Sequence, residues 1–162
     1  MKFLKTIRFD NSDEHVFETG APPEEWAVSG AFAFSALAPD QVKGKTKQAF
    51  ANGFLGLPSL GRSTFATVGE MDKTELDQVQ ALLARHFVDC YGAPNVAAAL
   101  PAAREETDFV LDLCKDSLIN TVFTVRRQFD AEGEIKEEFR TIQAPSDRPL
   151  HTRIWSVTED EA

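Results

Sequence analysis

Apolar and polar positions alternate through much of this chain, and where the period changes they mark the elements. From Lys2 to Phe9 the residues Phe3, Ile7 and Phe9 share one face, which predicts a strand. The cluster Asp10-Asn11-Ser12-Asp13 is turn chemistry, and His15 to Glu18 is expected to return as a short strand, completing a hairpin with a solvated acidic tip. Ala21-Pro22-Pro23 interrupts the chain. Trp26, Val28, Gly30, Phe32 and Phe34 then recur with period two. The opposite face, Ala27 to Ser35, is made of small residues, so the prediction is a strand closely covered by a helix. Asp40 to Phe54 has helical composition weakened by Gly44, and Ser63 to Gly69 reads as a further strand.

The clearest element follows. Leu76, Val79, Leu82, Leu83, Phe87 and Tyr91 recur at helical spacing, with Thr74 as N-cap and Gly92 and Pro94 as the stop. A turn over Asn95 to Leu100 leads to a second helix starting at Pro101, with Ala103, Phe109, Val110, Leu113 and Cys114 inward. The last third is strand. Ile119, Phe123, Val125 and Phe129 face inward, Asp130-Ala131-Glu132-Gly133 makes a hairpin turn, and Ile135 to Ile142 returns. After a loop at Pro145 to Pro149, Leu150 to Val157 supplies a final strand, and residues 159–162 are an acidic tail. This order predicts one α+β domain over residues 1–158, a largely antiparallel sheet with about three helices on one face.

One stretch fits no regular period. Gln48 to Gly61, QAFANGFLGLPSLG, carries no charge, and its glycines and proline break up Phe54, Leu55, Leu57 and Leu60. A segment this apolar is expected to plug the core, line a pocket or meet a partner. Gly56 to Ser63 imitates a phosphate-binding loop with Arg62 in place of lysine. That chemistry needs a strand before the loop and a helix after it, and the reverse order is predicted here.

Composition narrows the functions. A chain of 162 residues is long enough for one real core. Its net charge of -9 works against binding nucleic acid or an anionic membrane surface. No apolar run is long enough to span a bilayer, and the start lacks a signal-peptide core, so a cytoplasmic protein is expected. Thirteen Phe against one Tyr suggest dry packing. Cys90 and Cys114 are expected to be reduced and buried. His86 and Cys90 share a helix face four residues apart, and with Cys114 they would form the nearest thing to a metal or nucleophile site. They lack a fourth ligand and an open setting, so neither a metal nor any other cofactor is expected. Arg126, Arg127, Lys136, Arg140, Arg148, His151 and Arg153 make the C-terminal strands locally basic. Interleaved glutamates make cross-strand pairing the simplest reading, with a carboxylate or small-anion pocket near Arg126, Arg140 and Arg153 as the alternative.

The stretches FLKTIRFD from Phe3, EEWAVSGAFAF from Glu24 and KQAFANGFLGLPSLGRSTF from Lys47 resemble a family of short proteobacterial proteins of unknown function. The resemblance implies no activity and no site residues. Through a similar genomic setting near lipoate-ligase-like and molybdenum-oxidoreductase accessory proteins, it implies an accessory role. The expectation is therefore a non-catalytic accessory or interaction domain, contacting a protein partner or a second copy of itself through Phe54, Leu55, Leu57 and Leu60. The alternative is a binding domain for an anionic, partly apolar ligand held by Arg62 or the C-terminal arginines. An enzyme using His86 with Cys90 or Cys114 comes last.

Overall fold

The computed structural model describes residues 1–143 and 156–159, with residues 143 and 156–159 described by their backbone alone. Among the described residues eight strands form a single sheet in the order β4-β3-β2-β1-β5-β6-β7-β8. These are β1 (Lys2–Ile7), β2 (Trp26–Val28), β3 (Phe54–Leu57), β4 (Arg62–Ser63), β5 (Phe65–Glu70), β6 (Val122–Phe129), β7 (Ile135–Gln143) and β8 (Ser156–Glu159). Every neighbouring pair is antiparallel. The helices are α1 (Ser12–Val16), α2 (Gly44–Asn52), α3 (Lys73–Cys90) and α4 (Val96–Cys114). The fold is α+β, as the pattern predicts.

Residues directly opposite in an antiparallel ladder point to the same face. The pairs Leu4 with Val68, Ala66 with Phe123, and Val125 with Phe139 therefore line one side of the sheet. Two helices reach that side. Phe50 of α2 stacks on Phe129 with centroids 4.5 Å apart, and Phe109 of α4 meets Phe139 at 5.5 Å. Lys2 Nζ donates to the Ser117 carbonyl at 2.6 Å and ties β1 to the end of α4. α3 packs along α4, and Gln80 donates to the buried Thr107 hydroxyl across that contact at 3.0 Å.

Several local expectations are corrected. The expected return strand at His15 to Glu18 is instead the short helix α1, because β1 finds its antiparallel neighbours in β2 and β5. Its turn is solvated at Asp10, Asn11, Ser12, Glu14 and His15, but Asp13 is buried and accepts from the Thr64 hydroxyl at 2.7 Å and the Thr64 amide at 3.3 Å. The strand expected from Trp26 to Phe34 stops at Val28. Gly30, at φ +78°, turns the chain into a 3-10 turn over Ala31–Phe34. A Cβ on Gly30 would sit 2.6 Å from Arg62 Nη1 and 2.7 Å from the Leu55 Cβ, so only glycine fits there.

α3 begins at Lys73, not after Thr74. Asp72 and Glu75 form a reciprocal capping box, with Glu75 N to Asp72 Oδ1 at 2.8 Å and Asp72 N to Glu75 Oε1 at 3.1 Å. α4 starts at Val96, capped by Asn95 accepting from the Ala98 amide, so Pro101 lies inside the helix and not at its first turn. Phe109, expected inward, is half exposed, and Thr107 takes an inward position instead. Leu118 and Ile119 are likewise exposed, before β6 begins. The hairpin turn before β7 is as expected, with Gly133 at φ +80°. The loop at Pro145 to Pro149 and most of the expected final strand lie outside the described residues.

Candidate functional site

The apolar stretch that fits no regular period begins as the end of α2, and its centre becomes β3, a strand inside the sheet. Phe54, Leu55, Gly56 and Leu57 are all buried, paired with β2 on one side and β4 on the other. Gly61 allows the return, since a Cβ there would lie 2.7 Å from the Ala21 backbone nitrogen. Leu60, at φ +62°, remains partly exposed at the tip of that return.

The polar centre of the molecule sits behind this strand. In β6 the residues Phe123, Val125, Arg127 and Phe129 share one parity, so Arg127 projects from the apolar face. Its side chain is sealed from solvent. Nε donates to Glu137 Oε2 at 2.8 Å, and Nη1 donates to the carbonyls of Gly53 at 2.9 Å, Phe50 at 3.0 Å and Ala49 at 3.3 Å. Nη2 donates to the carbonyl and the hydroxyl of Ser29, and that hydroxyl donates to Glu137. A helix leaves its last carbonyls without intrahelical partners, and its C-terminus favours a cation. α2 has no basic residue in its own last turn, so Arg127 supplies the cap from β6.

Arg62 joins the same end of α2. Nη1 donates to the Gly53 carbonyl and Nη2 to the Gly30 carbonyl, each at 3.2 Å, and the guanidinium lies 4.9 Å from the Phe34 ring centroid. Burial, reinforced by the Arg127 charge, pulls its pKa down to about 9, which leaves it protonated at neutral pH. Burial also lowers the pKa of Arg127, opposed by Glu137.

Beyond this cluster a groove opens between the Ala31–Phe34 turn, the end of α3 and the start of α4. Its volume is about 600 Å³. The floor is Phe32, Phe87 and Tyr91 in edge-on contact, and Pro94, Ala98 and Ala102 extend it along α4. Glu105 and Glu106 close one end. Burial, together with the nearby charges of Glu137 and Glu105, raises the Glu106 pKa to about 7, against a partial offset from Arg127.

The remaining expected residues are scattered. Arg126 is exposed on the opposite parity of β6, across from Glu138, and Arg140 lies 3.1 Å from Glu138. Neither approaches the Arg62 and Arg127 cluster. Arg148, His151 and Arg153 lie outside the described residues. Cys114 is buried in the core as expected, where desolvation pushes its pKa up to about 12, while Cys90, expected to be buried, is exposed at the end of α3. His86 packs edge-on to Phe32 and Tyr91, and burial lowers its pKa. Among the described residues no group of three or more His, Cys, Asp or Glu could hold a metal ion, and no helix is long and apolar enough to cross a membrane.

Arg127, Ser29, Glu137 and Glu106 are the residues that sequence reasoning left out of the candidate site. A signal for Arg127 existed: a charge on the apolar parity of an alternating strand. No curated protein and no solved structure matches the chain significantly. A family model does, over residues 1–156, and the chain belongs to that family, a family of unknown function (DUF6505).

Proposed function

We propose that this protein is a non-catalytic interaction domain whose groove between the Ala31–Phe34 turn and the α3–α4 junction receives an extended segment of a partner protein. The observation that carries this reading is the lining. Three aromatic rings and a row of alanines offer an apolar channel of about 600 Å³, with Glu105 and Glu106 at one end. Aromatic anchors in small concave sites dominate protein recognition, and a rim carboxylate selects for opposite charge. The segment that fits has a Leu or aromatic anchor followed by Lys or Arg. The two unpaired cysteines support a reducing compartment such as the bacterial cytoplasm, and an accessory role follows from binding without chemistry.

Selection of displayed random peptides on the wild-type protein, with Ala98→Trp as counter-target, tests the reading. Ala98 is exposed, so tryptophan fills the groove without entering the core. The expected result is enriched peptides of that pattern that bind Ala98→Trp at least tenfold more weakly. Peptides that bind both proteins equally, or no enrichment at all, would overturn it.

A further inference from the structure

The two buried arginines differ in how their charge is met. Arg127 is paired with Glu137 at 2.8 Å. Arg62 is only 8% exposed, and among the described residues no carboxylate lies within ion-pair distance of it. Two carbonyl dipoles and an aromatic face solvate it, and the strongest charge acting on it is another cation, Arg127. Glu137 and, more weakly, Glu106 act on Arg127, so Arg62 itself is the cation left without a direct counter-charge, and buried charges are ordinarily paired. The two carbonyl bonds use two of the five N–H donors of the guanidinium.

A cavity of about 200 Å³ lies against Arg62. Phe17, Phe34 and Leu60 give it an apolar wall, and Lys45 and Thr46 from the first turn of α2 add a second cation and a hydroxyl. Glu18 also lines it, but it is exposed and is not among the groups that shift Arg62. The volume is that of about six or seven waters. We infer that this cavity is a binding site for a short-chain carboxylate, its carboxyl group held by Arg62, Lys45 and Thr46 and its alkyl arm laid against Phe17, Phe34 and Leu60. A guanidinium fork matches a carboxylate in geometry as well as charge. The site is separate from the groove, and neither proposal depends on the other.

Thermal unfolding of the full chain in sodium hexanoate, sodium acetate, sodium phosphate and sodium chloride at matched ionic strength tests the assignment. Lys45→Glu is the comparison, since Lys45 is exposed and its reversal leaves the core untouched. Hexanoate at ten times its dissociation constant should raise Tm by roughly 3–5 °C in wild type, with a logarithmic dependence on concentration above that, and by less than about a third of that in Lys45→Glu. Acetate, lacking the arm, should need a higher concentration for the same shift. A hexanoate shift no larger than that of chloride, or equal in the two proteins, would overturn the proposal. So would stabilisation by phosphate alone.

Discussion

Arg62 and Arg127 donate to the same carbonyl oxygen, that of Gly53, from 3.2 and 2.9 Å. Gly53 ends α2 and precedes β3, so two cations from β4 and β6 meet where the helix hands over to the buried strand. Helix, sheet and the Ser29–Gly30 turn are joined at this one point, through bonds spanning up to 98 residues of sequence.

Removing Arg127 should be among the most damaging single changes. Arg127→Met would leave Glu137 without its cation and the Phe50 carbonyl without a donor, and would strip one of two donors from the Gly53 and Ala49 carbonyls, a loss of about 3–5 kcal/mol. Arg127→Lys should recover only part of this, because one ammonium cannot span the acceptors of a fork. Urea unfolding would show the order wild type, Lys, Met. A methionine variant as stable as wild type would mean that the cluster does not hold α2 in place.

Leu57→Asp separates a core strand from a contact surface. Leu57 is 3% exposed within its own chain, so the aspartate would be buried without a partner. The expected effect is a loss of more than about 3 kcal/mol in urea unfolding, with no change of oligomeric state under conditions where the variant is folded. A stable variant that converts an oligomer to a monomer in light scattering would return this strand to the surface.

Glu106 should make stability fall as pH rises. Its folded pKa of about 7 lies above the ordinary 4.5, so between those values the folded state holds more of the proton than the unfolded state does. Stability is then greater below pH 4.5 than above 7 as far as this group is concerned. Glu106→Gln should flatten that slope and gain about 1–2 kcal/mol at pH 8, a figure reduced for partial solvent screening. Parallel pH dependence in the two proteins would refute the assignment.

The thiols should report burial directly. A water-soluble aromatic disulfide reagent should titrate one thiol in the native protein, the exposed Cys90, and release the second only on unfolding, since Cys114 is buried and its pKa is pushed up to about 12. Rapid reaction of both in the native state would place Cys114 in an open cleft.

Much of the fold was legible in the sequence because it was written in periodicity. The Leu76 to Phe87 spacing and the alternation through Phe123, Val125 and Phe129 each follow from one buried face. Boundaries were less legible where a single contact decides them. The Asp72–Glu75 capping box set the start of α3, and the approach of Arg62 to Gly30 ended β2. β3 was hidden because both of its faces are buried, which leaves no solvent face to alternate with, so Phe54 to Leu57 reads as an unpatterned apolar run. Arg127 shows the converse: its parity was visible, but four of its acceptors are backbone carbonyls, those of Ser29, Ala49, Phe50 and Gly53, which no residue type announces. The groove was invisible for the same reason, since Phe32 and Ala98 become neighbours only through the turn at Gly30 and the α3–α4 junction.

Amide hydrogen exchange with and without a peptide selected on the groove tests the central claim most directly, that the glycine-rich segment is internal and contact with other proteins falls elsewhere. Amides of Phe54–Leu57 should already be protected in the free protein and unchanged on binding, while Phe32–Ala36 and Ala93–Ala102 should gain protection. Fast exchange of Phe54–Leu57 in the free protein, with protection appearing there when the peptide binds, would contradict it.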